Sequence, residues 1–261
     1  MSNSLRDRIF LLRELTLRDL KSRYIGSAGG LLWTVAHPLF TLLLYTLVFS
    51  QIIRPGWPQV QTVGSFACYL FAGLLPWIQF QEAITRCAMV FIENGNLIKK
   101  VKFPAELLPC SVVLSSISTE VIALCVFLSV LALGYSGGRP ALLWLAPALI
   151  LQLLATFGAG LLVAGCNVFV RDIHQFLSVG FPFLFWATPI IYPPSEIPVS
   201  LRWLSNANPL THLVALYRAA LLGGEAPGAG PLLYMTIAAL AVCAAGWALL
   251  CRSRGILSDY I

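Results

Sequence analysis

The sequence predicts an all-α membrane protein: six transmembrane helices, an N-terminal amphipathic interface helix, and two short re-entrant extracytoplasmic helices between spans five and six. Three observations lead there. The chain of 261 residues is 58% hydrophobic and 11% charged, with a mean hydropathy of +0.82. Soluble domains carry about a quarter charged residues, so only a chain solvated mainly by hydrocarbon can expose this much apolar surface. Six apolar stretches approach or exceed the ~20 residues that cross a bilayer, at 31–53, 63–89, 107–133, 142–170, 173–192 and 232–251. The third observation is an uneven distribution of Lys and Arg between the intervening loops.

That bias sets the orientation. Arg6, Arg8, Arg13, Arg18, Lys21, Arg23, Lys99, Lys100, Lys102, Arg171, Arg252 and Arg254 fall on one side, against Arg54, Arg139, Arg202 and Arg218 on the other, with Arg86 near a helix end uncounted. Both termini are therefore expected in the cytoplasm. The net charge of +6 follows from this topology and requires no nucleic-acid partner.

Residues 1–30 form the interface unit and 31–261 the membrane domain. Leu5, Ile9, Leu12, Thr16 and Leu20 recur at helical spacing, with Arg6, Arg13, Glu14, Arg18 and Lys21 mostly off that stripe. Arg8, Asp19 and Arg23 interrupt it or edge it, so the amphipathicity is imperfect. Such a helix lies in the membrane plane with its charges among cytoplasmic headgroups. The cationic shelf serves anionic lipid or a docking partner. It is not expected to be a cleavable signal, because the basic region is long, contains Glu14 and Asp19, and no small-residue cleavage site follows a short apolar core.

Pro38, Pro76, Pro147 and Pro182 lie inside spans, where neighbouring helices can satisfy the freed backbone groups. Residues 93–104 form a cytoplasmic segment. Residues 193–224 alternate turn signals (Pro193-Pro194, Asn208-Pro209) with apolar stretches too short to span. They read as two short helices dipping into the outer leaflet, or as an ordinary external loop. No internal repeat is visible, which weakens the case for an inverted-repeat secondary transporter.

The chemistry is sparse. Seven cysteines, an odd number without CxxC, suit neither a disulfide framework nor a metal site. There is no HExxH, GxSxG or paired-carboxylate site, and His37, His174 and His212 fall in separate segments. Glu120 alone lies well inside an apolar run, SSISTEVIALC. It is a functional candidate, or a carboxyl hydrogen-bonded to Ser115, Ser116, Thr119 or another helix. His37, beside Pro38, carries the same two readings. No GxxxxGK[ST] occurs and no lysine follows a glycine, so this chain is expected to hold no ATP site and no cofactor. If ATP drives it, ATP and magnesium belong to a separate ATPase on the cytoplasmic face.

The stretch RELTLRDLKSRYIGSAGGLLWTVAHPL, followed by NVFVRDIHQ, PIIYPPSEIP and NPLTHLV, resembles the permease subunit of type-2 ABC exporters of lipid-linked polysaccharides. These export O-antigen, teichoic acid and capsule-type glycans. The resemblance spans essentially the whole chain and keeps the motif order. It implies a homodimer in the bacterial inner membrane with two copies of a cytoplasmic ATP-binding subunit. It also implies an undecaprenyl-pyrophosphate-linked glycan as substrate, with O-antigen favoured. Arg18 and Asp19 on the N-terminal helix, the segment 93–104, and the VRDIH turn with Arg171 and Asp172 would face the ATPases.

Spans one and five would line the channel. Thr41, Tyr45 and Phe49 share one helical face, and Phe181, Phe185, Thr188 and Tyr192 share another. Aromatic faces stack on the C–H faces of sugars, and hydroxyls exchange hydrogen bonds with a sliding chain. The competing reading is that these rings pack against lipid or other helices. Lys21, Arg23, Lys99, Lys100 and Lys102 are candidates for receiving the pyrophosphate, although the topology rule alone also places them. Three rivals remain: an ABC permease for a smaller lipid or drug, a membrane-embedded glycan or lipid enzyme using Glu120 and His37, and an ion-coupled transporter working at Glu120.

Overall fold

A computed structural model describes residues 5–23, 32–48, 63–100, 104–134, 141–170 and 172–253. Every regular element among them is helical. In chain order these are α1 (Leu5–Ser22), α2 (Leu32–Leu47), α3 (Val63–Glu93), α4 (Gly95–Lys100), α5 (Leu107–Gly134), α6 (Leu145–Phe169), α7 (Ile173–Ala187), α8 (Arg202–Ala207), α9 (Pro209–Leu222) and α10 (Ala229–Ser253). Short 3-10 turns precede α6, at Leu142–Trp144, and divide the α7–α8 link.

Three helical stretches are long and apolar enough to cross a membrane: Leu107–Ala132, Leu142–Phe169 and Ala229–Arg252. α3 has the length, with 31 residues, but its second half carries Glu82, Arg86 and Glu93. α2 is described over 16 residues, and the rest of the first expected span lies outside the described residues. α7 stops at Ala187, short of the expected 192, because Thr188 precedes Pro189 and turns extended (φ −98°, ψ 129°). A residue before proline is driven out of the α region by the pyrrolidine ring.

α3 is the central helix, packing against α2, α5, α6, α7 and α9. Its face Leu70, Leu74 and Trp77 belongs to one core cluster with Phe127, Phe181, Leu213 and Tyr217. A second cluster gathers Leu15, Ala83, Cys87, Leu108, Val112 and Leu161 around the foot of α1. α6 and α10 pack backbone to backbone. A Cβ on Gly158 would stand 2.5 Å from the Cys243 nitrogen, and one on Gly246 would stand 2.7 Å from the Gly158 oxygen. Small residues at such crossings replace hydrophobic driving force with close van der Waals contact.

Within 193–224 the structure contains two helices, α8 and α9. α9 begins at Asn208, whose side chain accepts from the Leu210 amide at 3.0 Å, an N-cap that stabilises the first turn. It ends at Gly223, at φ 77°, a left-handed value that glycine adopts without strain. Leu213, Leu216, Tyr217, Ala220 and Leu221 are almost fully buried. The helix therefore packs largely into protein rather than lying on lipid.

Candidate conduit and the polar clusters beside it

A cavity of about 300 Å³ opens between α2, α3 and α7. α2 contributes Thr41 and Tyr45, and α7 contributes Phe181, Pro182, Phe185 and Trp186. α3 closes the third side with Leu74, Trp77, Ile78 and Gln81. The rings form a connected set. Tyr45 stacks on Phe185 at 6.1 Å between centroids and 19° between planes. Trp77 meets Phe185 at 5.5 Å and Phe181 edge-on at 6.1 Å. Phe185 meets Trp186 edge-on at 5.7 Å.

Among the described residues the lining holds no charged side chain. Its polar atoms are the Thr41 and Tyr45 hydroxyls, the Gln81 amide and the Trp indole N–H groups. Its size falls at the lower end of the ~300–1,000 Å³ range of ligand sites. Such a lining offers stacking faces and a few exchangeable hydrogen bonds, and among the described residues no cation to neutralise a phosphate.

Four of the seven residues expected in a channel thus meet at this cavity: Thr41, Tyr45, Phe181 and Phe185. Phe49 lies outside the described residues. Thr188 is buried, donating to the Leu184 carbonyl at 2.7 Å and accepting from Asn208 Nδ2 at 2.8 Å. The Tyr192 hydroxyl donates to the Trp186 carbonyl, which folds the end of α7 back on itself. Neither lines the cavity. Trp77, Gln81 and Trp186 line it and were not anticipated. The aromatic run in α3, FAGLLPWIQF, was visible, but its facing α2 and α7 was not.

At the foot of the helices a charge cluster joins α1 to α3 and α5. Arg23 Nη1 stands 2.5 Å from Glu82 Oε1, and its Nε stands 3.5 Å from Asp19 Oδ2. Its Nη2 donates to the Ser116 hydroxyl at 3.0 Å, and Nη1 also reaches the Thr119 hydroxyl at 3.3 Å. Arg86 pairs with Asp19 in turn. Two arginines thus meet two carboxylates, with no net charge. Burial acts to raise the Asp19 pKa, but the hydrogen bond from Arg86 and the charges of Arg86 and Arg23 outweigh it. The carboxyl is held below its ordinary value of 3.8.

Arg23 and Asp19, read from sequence as a pyrophosphate ligand and an ATPase contact, are therefore engaged with α3 and α5. Arg18 donates to Asn94 Oδ1 at 3.1 Å, and Arg8 pairs with Glu106 at 3.7 Å. Leu15 is buried, with Leu11 and Leu12 beside it, while Leu5, Ile9 and Phe10 are exposed. The packed face therefore runs through Leu11, Leu12 and Leu15 and only partly coincides with the expected stripe, whose Leu5 and Ile9 are exposed. Lys21, Lys99 and Asp172 are exposed. The Lys100 side chain, Lys102, Arg171 and the His37 side chain lie outside the described residues.

Glu120 sits in a second, wholly buried network whose partners lie on other helices. Gln152 Nε2 donates to Glu120 Oε2 at 3.0 Å and to Gln79 Oε1 at 2.6 Å. The Tyr217 hydroxyl contacts Glu120 Oε1 at 2.9 Å and also Gln152 Oε1. Thr156 donates to Gln79 Oε1 at 3.3 Å. α3, α5, α6 and α9 are thereby tied at one point. Polar groups linked in this way inside a core favour one arrangement of the helices, although Gln79 Nε2 is left without a partner among the described residues.

The family model for ABC-2 type transporters matches residues 11–222. The chain belongs to the ABC-2 transporter family. It is 36% identical over 235 residues to the O-antigen export system permease protein RfbA of Myxococcus xanthus, covering 89% of this chain and 87% of that one. It is 33% identical over 219 residues to a Klebsiella pneumoniae protein of the same name, covering 82% and 81%. The polysialic acid transport protein KpsM of Escherichia coli is more distant, at 24% over 237 residues and 90% of each chain. An ABC-2 family membership and three apolar membrane-length helices make this a multi-pass membrane protein.

Proposed function

We propose that this chain is the permease half of an ATP-driven exporter that carries an undecaprenyl-pyrophosphate-linked polysaccharide, of the O-antigen class, outward across the bacterial inner membrane. The carrying observation is the uncharged aromatic cavity between α2, α3 and α7. Stacked rings with scattered hydroxyl and amide groups suit successive sugars of a neutral chain and tolerate differences between them. The names of the O-antigen export relatives support that substrate class, and the more distant polysialic acid relative supports polysaccharide transport more broadly.

Two copies of the chain form the pore in this reading, with six spans each and both termini inside. α2 and α7 bring exposed apolar residues such as Phe40, Leu44, Phe176 and Phe183 to the partner copy or to lipid. Two ATPase subunits dock below. Their closure pushes on α1, and the Asp19–Arg23–Glu82–Arg86 cluster passes that displacement to α3 and α5. α3 lines the cavity, so a shift of α3 against α7 changes its width. Lys21 on α1 and Lys99 on α4, both exposed, are this reading's candidates for meeting the carrier's pyrophosphate before the glycan enters.

Purification of the tagged chain from its own membranes tests the reading. A P-loop ATPase should copurify and be lost when exposed Arg18 and Lys21 are reversed to Glu, with the fold retained. A chain that purifies alone, even after crosslinking in the cell, would contradict it.

A further inference from the structure

Tyr217 and Arg218 are consecutive on α9 and serve different parts of the protein. Tyr217 enters the Glu120–Gln152 network. Arg218 reaches the segment that follows α7. Its Nη1 donates to the Pro189 carbonyl at 2.8 Å and its Nη2 to the Ile190 carbonyl at 2.5 Å. The guanidinium carbon stands 3.6 Å from the centre of the Tyr69 ring, and the Tyr69 hydroxyl donates to the Tyr192 carbonyl at 3.4 Å. No carboxylate is recorded within ion-pair distance of Arg218 among the described residues. Its charge faces two backbone carbonyls just beyond the end of α7 and an aromatic face, both favourable for a cation.

Gly73 completes the arrangement. A Cβ there would stand 3.0 Å from Arg218 Nη2 and 3.4 Å from the Ile190 oxygen. An α3 glycine is ordinarily a cost to the helix, and here it makes room for the fork.

We propose that Arg218 is the positioning residue for the outer rim of the conduit. It clamps the break at 188–192 to α3 and, through its neighbour Tyr217, to the buried network. That break sets where α7 ends, and with it the placement of Phe185 and Trp186, the last two rings of the cavity. Only a planar fork can bridge two successive carbonyls while stacking on a ring, so lysine is an incomplete substitute. This inference rests on the conduit reading for its consequence and stands apart from it for its geometry.

Hydrogen exchange on the purified full-length chain in lipid nanodiscs reads the geometry. The Thr188 and Ile190 amides donate to Leu184 and Thr188 carbonyls. Arg218→Gln should speed their exchange on the order of tenfold while leaving α5, α6 and α10 unchanged. Arg218→Lys should fall between, and Gly73→Ala should loosen the same segment. In producing cells, Arg218→Gln should lower surface polysaccharide by roughly tenfold at an unchanged membrane level of the chain, with Arg218→Lys partly restoring it.

Unchanged exchange at 188–192 would overturn the clamp. Faster exchange with wild-type surface glycan would overturn the positioning role if Phe185→Leu reduces the glycan. If Phe185→Leu is equally silent, the conduit reading falls, and the role with it.

Discussion

The charge cluster under α1 makes the sharpest prediction about how movement enters the membrane domain. Asp19→Asn keeps the shape of the side chain and removes one of two negative charges facing Arg23 and Arg86. The Asp19 side chain is 17% exposed and that of Arg86 30%, between a surface pair, worth ~0.2–1 kcal/mol, and a fully buried one, whose breaking costs ~3–5 kcal/mol. Solvent screening discounts the larger figure. About 2 kcal/mol remains, or roughly 30-fold in the population with α1 detached.

Hydrogen exchange of the α1 amides in the purified chain measures that population directly. Glu14→Gln is the control. Its pair with Arg13 spans 3.6 Å with side chains 69% and 50% exposed, so its effect should stay below about threefold. The pH dependence has a defined sign. A depressed carboxylate contributes stability that is fully present above its unfolded pKa and is lost as pH falls through the lower folded value. Asp19 should therefore hold α1 equally at about pH 5 and 7 and release it only in acid below 3.8. An Asp19→Asn effect no larger than that of Glu14→Gln would refute the latch.

Three further outcomes follow from the packing. Gly158→Ala must part α6 from α10, because its Cβ would meet Cys243 backbone at 2.5 Å. It should lower the melting temperature in detergent and raise maleimide labelling of Cys243. Glu120→Gln can keep both neighbours, donating to Tyr217 and accepting from Gln152, so export should persist within about twofold. Glu120→Ala should destabilise by ~1–3 kcal/mol by stranding buried partners, and loss of export in the glutamine variant would favour an ion-coupled transporter. Phe185→Leu and Trp186→Leu should reduce surface glycan by about three- to tenfold at unchanged membrane level, if ring faces contribute ~0.5–1.5 kcal/mol each.

Much of this could be read from one chain, and the remainder required contacts between helices. Hydropathy located the stretches that became α5, α6 and α10, since each is apolar on every side over membrane length. Spacings of four placed Thr41 with Tyr45, and Phe181 with Phe185, on faces that do meet at the cavity. Extending the second face to Thr188 and Tyr192 failed to reach the lining because the helix ends at Ala187 and Thr188 is extended. The Thr188-Pro189 pair was the available signal.

Trp77 and Gln81 were missed for a different reason. Periodicity within α3 shows a face but not which helix covers it. Glu120 was weighed chiefly against hydroxyls on its own helix and found its partners on α6 and α9. In α1, Arg8, Asp19 and Arg23 looked like flaws in an apolar stripe. They mark the face that binds α3 and α5, where apolar and charged contacts alternate.

The central claim is that this chain passes a polysaccharide outward through the α2–α3–α7 cavity. The direct measurement is made in producing cells from which the chain is removed, with lipid-linked polysaccharide quantified inside and surface polysaccharide outside. The account predicts internal accumulation with loss at the surface. It also predicts that wild-type chain restores export, and that a Phe185→Leu, Trp186→Leu double variant present at the same level does not. Surface polysaccharide that survives removal of the chain would contradict the account.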